Sequence, residues 1–367
     1  GKNRRPTVTI NSLTEVGKVS LMPKYQNEYG GGYSQDWQIF HYNPAVHPAE
    51  WAAFEGQKMA EYGADESWGP RMDGTLHRSA YSWYPGDDFG KLTPFSPAAN
   101  DVEEFYTNTL RLNNNIVFEG GSQIATYRLS YNNRVTTLPF PNTRKDENIF
   151  SLRGTVNISP KLTATSNINF LNIHQKGDRT EGYTNDGQNI SQNFNQWWQR
   201  QIDVKQLRDY KNPAGGYKTW NIRSPIDPRP AYWDNIYYQV YESFRRIWQN
   251  RVYGDVGLSY KIIDDLKASV TFRANVLNYG GDGRIASGGL ELDRYNIYNG
   301  QTGEYNGEFL VEYKKRFGNF GWEQFVGGNM RKDFRRENSA NTVGGLAVPG
   351  LYSISASKDR PAVGNSW

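Results

Sequence analysis

Apolar and polar residues alternate one by one along much of the chain, most clearly in NIFSLRGTVNISPKLTATSNINFLN, Asn148 to Asn172. Folded at Pro160, this stretch sets Phe150, Leu152, Gly154, Val156 and Ile158 opposite Phe170, Ile168, Ser166, Ala164 and Leu162. The intervening positions pair Ser151, Arg153, Thr155 and Asn157 with Asn169, Asn167, Thr165 and Thr163. Period-two alternation of this kind predicts a hairpin with one dry and one wet face. A soluble sandwich would turn the dry face inward and a membrane barrel would turn it outward to lipid, so the hairpin alone fits both.

The same test along the whole chain predicts about nine strands. They are Thr7 to Leu21 (loosely), Tyr106 to Glu119, Gln123 to Val135, Asn148 to Ile158 and Leu162 to Ile173, followed by Trp248 to Tyr260, Leu266 to Val276, Phe309 to Arg316 and Gly321 to Met330. Most reach the roughly 9–11 residues that a tilted strand needs to cross a bilayer. The connections fall into two classes. EGGS at Glu119, SPK at Ser159, KIIDD at Lys261 and FGNF at Phe317 are tight, whereas the segments after the first and fifth strands are far longer than the usual loop of about 4–6 residues. Short turns on one side and long loops on the other is the arrangement of an outer-membrane barrel. Within the first long loop, HPAEWAAFEGQKMAEYG predicts a helix from Pro48 to Gly63. No repeat of fixed period supports a propeller or solenoid.

Composition sharpens this picture. Only 37% of the 367 residues are hydrophobic and the mean hydropathy is -0.78, while 25 Tyr, 17 Phe, 11 Trp and 37 Gly carry the apolar surface and the turns. That balance favours β-structure. No apolar run is long enough for a transmembrane helix, which leaves a barrel open. A net charge of +4 gives no reason to expect nucleic-acid binding, and the absence of cysteine removes disulfides, thiolate catalysis and Cys-ligated metal sites. GKNRRP at the start has neither an initiator Met nor a signal region, and VGNSW at the end lacks the alternation of a finishing strand. Both ends suggest a piece of something longer.

Candidate chemistry is sparse. His41, His47, His77 and His174 match no metal-ligand spacing, and no cofactor motif is present. Asp87–Asp88 and Asp264–Asp265 are better explained by turns than by an acid–base pair, because adjacent residues on an extended chain point apart. Catalytic residues are therefore none. The glycines of GGG at Gly30 and of YGGDGR from Tyr279 lack the setting of a phosphate loop and read as flexible loops. DRTEGYTNDGQ, from Asp178, offers oxygen ligands without the spacing of an EF-hand. Basic clusters close the predicted strands at Arg245/Arg246, Lys314/Lys315/Arg316 and Arg331 to Arg336. Turn order puts the last on the outer side, where Arg331, Arg335 and Arg336 could meet lipid phosphates. The loop residues Trp68, Asp73, Trp83, Trp197, Trp198 and Trp233 are candidates for substrate or partner contact, the alternative for the rings being that they pack the loops together.

Several blocks carry a family resemblance. ESWGPRMDG (Glu66 to Gly74), DVEEFY (Asp101 to Tyr106), FEGGSQIATYRLSYNN (Phe118 to Asn133), FGNFGWEQFVGGNMRKDFRRE and GGLAVPGLYSISASKDRP resemble, in order, the barrel of the SusC/RagA family of TonB-dependent outer-membrane transporters. The resemblance implies that residues 1–367 are the first part of a 22-stranded antiparallel transmembrane β-barrel, with long extracellular loops and short periplasmic turns. It implies import of glycans or peptides into the periplasm in Bacteroidota, with a SusD-like surface lipoprotein as partner, TonB–ExbB–ExbD acting through an N-terminal region, and outer-membrane lipid or lipopolysaccharide around the barrel. This sequence departs from the family in holding no plug domain, no TonB box and no second half of the barrel. The competing readings are a non-transport barrel acting as a surface scaffold, and a soluble carbohydrate-binding or glycan-cleaving β-protein.

Overall fold

A computed structural model describes residues 5–177, 183 and 189–366. Its centre is one antiparallel sheet of ten strands, each paired with its neighbours in sequence. The first five are β1 (Thr7–Gly17), β2 (Thr109–Gly121), β3 (Ala125–Thr136), β4 (Arg144–Asn157) and β5 (Leu162–Lys176). The rest are β6 (Arg245–Ile263), β7 (Leu266–Ile285), β8 (Arg294–Phe317), β9 (Phe320–Asn341) and β10 (Ala362–Ser366). The sheet does not close on itself; β1 and β10 are its edges.

The register of the β4–β5 hairpin is the one its alternation predicts, with Phe150 opposite Phe170, Leu152 opposite Ile168 and Val156 opposite Ala164. The same parity continues across the sheet, from Ile10 and Ile116 through Tyr131, Phe150 and Phe170 to Val252 and Val276. One face is therefore apolar over its whole width, and its side chains are exposed: Phe150 by 49%, Val256 by 45%, Val270 by 54% and Phe309 by 51%. The other face carries Arg153, Asn167, Asp255, Arg273 and Asn306 in equally continuous register.

A row of amides measures the lean of the strands. Asn114, Asn133, Asn148, Asn172, Asn250 and Asn278 are successive cross-strand partners, followed by Gln301 and Arg336. The row lies seven positions before the end of β2 at Gly121 but sixteen before the end of β8 at Phe317. It thus climbs roughly 1.5 residues per strand; at about 3.3 Å per residue and about 4.8 Å between strands, the strands lean about 45°. That is the stagger of a barrel wall rather than of a flat sheet.

Three sequence expectations change. The tail is not strand-free: Ala362–Ser366 pairs with Glu337–Asn341, because an edge strand needs only backbone partners and no buried face. β7, β8 and β9 run far past the predicted ends at Val276, Phe309 and Met330, through polar and glycine-rich sequence such as YGGDGR. The apolar alternation marks the belt of the sheet and not the full length of its strands. The predicted Pro48–Gly63 helix shrinks to a single 3-10 segment, Ala49–Phe54, since Gly56 adopts φ +74 and Lys58–Met59 then pairs with Gln38–Ile39.

The short turns all lie at one end of the sheet, before Ala125, Leu162, Leu266 and Phe320. The β8–β9 turn has only Gly318 and Asn319 between the strands, and Gly318 takes φ +58, a geometry that suits glycine in two-residue hairpins. The opposite end carries the two long loops, 18–108 and 177–244, together with 137–143, 286–293 and 342–361. Short helices stiffen the second long loop. Asn189 caps α1 (Ile190–Gln196) by accepting from the Gln192 N–H, and Asn235 caps α2 (Ile236–Glu242) by accepting from the Tyr237 N–H.

Candidate functional site

The two long loops are rich in rings, and rings in number can bury enough area to pack into a body of their own. One cluster joins Tyr81, Val102 and Phe105 of the first loop to Phe194, Trp220 and Tyr237 of the second. A second gathers Phe40, Trp51, Phe54, Trp83 and Phe95 around Ile222. Polar clamps tie them. Asn221, fully buried, donates to the carbonyls of Tyr62 and Ala64 and accepts from the N–H groups of Tyr232 and Trp233, so all four of its bonding positions are used. Arg78, also fully buried, lies 3.4 Å from the ring centre of Phe54 and 4.8 Å from that of Trp83, and donates to the Gly90 carbonyl.

Against this frame the candidate residues separate. Trp83 is 5% exposed, packs in a tilted pair with Trp51 at 4.7 Å between ring centres and donates from its indole nitrogen to the Tyr62 hydroxyl at 2.9 Å. Trp198 packs edge-on against Phe194 and Trp220, and Trp233 donates to the Asp65 carboxylate at 2.8 Å. Trp197 lies half-buried against the first cluster. These four are packed inside the loop body, and the Trp233–Asp65 bond ties one loop to the other. Trp68 differs: it is 60% exposed, and its ring lies 5.6 Å from that of Tyr29, over which the Arg71 guanidinium sits at 5.3 Å. Asp73 follows at the surface. Its carboxylate accepts from Thr75, which holds its pKa below the usual range. Trp68 and Asp73 are thus exposed points of one segment, Glu66 to Gly74, in which Gly69 and Pro70 are buried and which runs beside Glu28 to Gly32 through backbone hydrogen bonds such as Trp68 N–H to the Gly32 carbonyl.

The GGG segment is a crossing point rather than a flexible loop. A side chain on Gly69 would meet the Gly31 carbonyl at 2.0 Å, so the two backbones approach because Gly69 lacks a Cβ, and one on Gly31 would meet the buried Gln199, which packs there for the same reason. The glycines of YGGDGR likewise lie inside β7, under the ring of Trp248 at Gly280.

Of the three arginines considered for lipid contact, Arg331 and Arg335 stand on the polar face and pair with carboxylates, Arg331 with Glu304 and Asp333 and Arg335 with Glu337. Arg336 has the parity of the apolar face and lies beside Gln301. All three are inside β9 and not beyond its end.

A cavity of about 540 Å³ opens between the loops, bordered by His77, Ser96, Asn100, Lys205 and Trp220. His77 donates from Nδ1 to the Thr93 carbonyl at 2.9 Å, and burial pushes its pKa down to about 4, so it is neutral near pH 7. Gln199, Gln201 and Asp203 on its wall are already engaged, with the Ala64 carbonyl, the Gly31 N–H and Asn100 respectively. Among the described residues no three His, Asp or Glu side chains gather as a metal site, and no helix is long and apolar enough to cross a membrane, which does not bear on strands. The oxygen-rich stretch from Asp178 lies outside the described residues apart from Tyr183 and Asn189 beyond it. Residues that sequence reasoning passed over, notably Asn221, Arg200 and Asp234, are single polar residues whose partners lie more than a hundred positions away or across loops, and no local pattern announces them.

No family model matches the chain, and no curated protein matches it. Solved structures do. The chain is similar to a chain of the RagAB peptide importer in its closed-closed state, with TM-score 0.66 and 12% identity, covering 100% of this chain and 39% of that one. The open-open state of the same importer gives TM-score 0.64 at 14% identity, and the RagAB peptide transporter 0.60 at 12%, with the same coverage. These neighbours are transporters rather than enzymes. The chain therefore has the fold of part of an importer chain, spanning 39% of that chain's length.

Proposed function

We propose that this chain is part of the β-barrel of an outer-membrane importer of the SusC type, which passes peptides or glycans to the periplasm in concert with a SusD-like surface lipoprotein. The observation that carries the reading is the two-faced sheet: an exposed apolar face in unbroken register over a polar one, with short turns gathered at one end and long loops at the other. An exposed apolar surface of this width is unfavourable in water and favourable in lipid. The polar face would line the solute path, and the loop body would form the outer vestibule on which the lipoprotein closes. Trp68 and Asp73, exposed on that body, would meet partner or solute.

A soluble binding protein would bury the apolar face against a second sheet, and none covers it among the described residues. The test is uptake. Cells lacking the full-length gene should lose import of labelled peptides or oligosaccharides and recover it on complementation. Undiminished import of both classes, with the protein absent from outer membranes, would overturn the proposal.

A further inference from the structure

On four successive strands, β4 to β7, the apolar face changes character in the same order. Moving away from the short turns, the last apolar row is Phe150, Phe170, Val252 and Val276. Two residues further along each strand comes a row of amides, Asn148, Asn172, Asn250 and Asn278. The Asn172 amide donates to Asn250 at 2.8 Å, and Asn278 accepts from Gln301 at 2.9 Å. The next row holds His174 and Trp248 side by side. Beyond it Arg144, Lys176 and Arg246 are direct cross-strand neighbours.

The height of this change matches a bilayer boundary. With strands leaning about 45° and rising about 3.3 Å per residue, the amide row climbs from roughly 21 Å above the short turns on β4 to roughly 30 Å on β6, bracketing the apolar band of about 25 Å in membrane barrels. An indole at that level is the usual interfacial side chain. The cation row then falls where headgroups begin. Arg144 is held by Asp146 and Arg246 by Asp282, each through two bonds of 2.8 Å, yet both side chains remain 60% exposed. Lys176 lies 4.6 Å from the ring of Phe244. Three cations against two carboxylates leave an excess of positive charge above a face that, on β4 to β7, is uncharged from the amide row down to the short turns.

We propose that the amide row is the rim at which the hydrocarbon of the long-loop-side leaflet ends, and that Arg144, Lys176 and Arg246 form a site for the phosphate of a lipid headgroup in that leaflet. Asp146 and Asp282 fix the two guanidinium groups from the side, and the apolar row below seats the acyl chains of the same lipid. The inference rests on the membrane reading above.

The test uses the full-length protein in phosphatidylglycerol vesicles, with an environment-sensitive fluorophore on a single cysteine replacing Val256, Asn172 or Lys176 and a quencher at the acyl-chain centre. Quenching should be strong at Val256, weak at Asn172 and absent at Lys176. No quenching at Val256 would remove the membrane reading itself, whereas equal quenching at Val256 and Lys176 would overturn the headgroup site alone. The triple substitution Arg144→Gln, Lys176→Gln, Arg246→Gln should lower the preference for phosphatidylglycerol over phosphatidylcholine by on the order of fivefold per charge removed. An unchanged preference would overturn the phosphate contact.

Discussion

Arg200, in the second long loop, holds both carboxylate oxygens of Asp101, in the first, at 2.8 and 2.5 Å. The same guanidinium donates to the Gln26 carbonyl and lies 4.5 Å from the ring centre of Tyr25. Arg200 is buried while Asp101 is partly exposed, and the pair ties the two long loops together across 99 positions of sequence.

This pair makes the loop body acid-sensitive. Burial by itself would raise the Asp101 carboxyl, but hydrogen bonds from Arg200 and from the Val102 N–H outweigh it and hold the pKa below 3.8. A carboxyl depressed on folding contributes stability above its unfolded value, and that contribution is lost as pH falls through the folded one. Proteolysis of loop 18–108 in the folded full-length protein should accelerate below about pH 4. Asp101→Ala, which leaves a buried guanidinium without its carboxylate, should bring the same acceleration at pH 7, at a cost of about 3 kcal/mol.

Asp234 predicts the opposite dependence at another joint. It is buried, accepts from the Leu290 N–H of loop 286–293 and from Gln239, and burial, aided by the charge of Glu291, pushes its pKa up to about 7. A carboxyl raised on folding favours the folded state most below its unfolded pKa, near 3.8, and that advantage is lost as pH rises to about 7. Amide exchange across residues 286–293 should therefore quicken, beyond intrinsic base catalysis, between about pH 4 and pH 7. Asp234→Asn should flatten this dependence, and a wild-type exchange rate that shows only the intrinsic base catalysis would refute it.

The tryptophans divide by burial. Trp83→Ala removes a ring packed on Trp51 and Phe40 and leaves the Tyr62 hydroxyl without its donor, so it should destabilise the loop body by about 3–5 kcal/mol in thermal or denaturant unfolding. Trp68→Ala at an exposed position should change stability by about 0.5 kcal/mol or less. If Trp68 serves the partner or solute, its loss will appear in binding and not in unfolding.

How much of this was open to reading in the sequence follows from what alternation reports. The facing of Phe150 and Phe170, and the sorting of short turns from long loops, could be read directly because one face of each strand must differ from the other in a two-faced wall. The outer halves of β7, β8 and β9 could not, since above the apolar belt both faces are wet and pairing leaves no hydrophobic trace. The same limit hid the facing of Arg331 and Arg335, whose parity emerges only once β9 is seen to continue to Asn341. In the loops, Trp83 and Trp68 have similar local sequence, and only the tertiary assembly of distant rings separates the buried from the exposed one.

The central claim, that the apolar face meets lipid, is tested most directly by a pair of adjacent substitutions. Leu152 lies in mid-belt on the apolar face between Leu129 and Ile168, and Ser151 faces the other way, donating to Asn169 at 2.7 Å. In reversible folding of the full-length protein into lipid vesicles, Leu152→Arg should cost about 2–4 kcal/mol and Ser151→Arg much less. Equal costs for the two, or a larger cost at Ser151, would contradict the account.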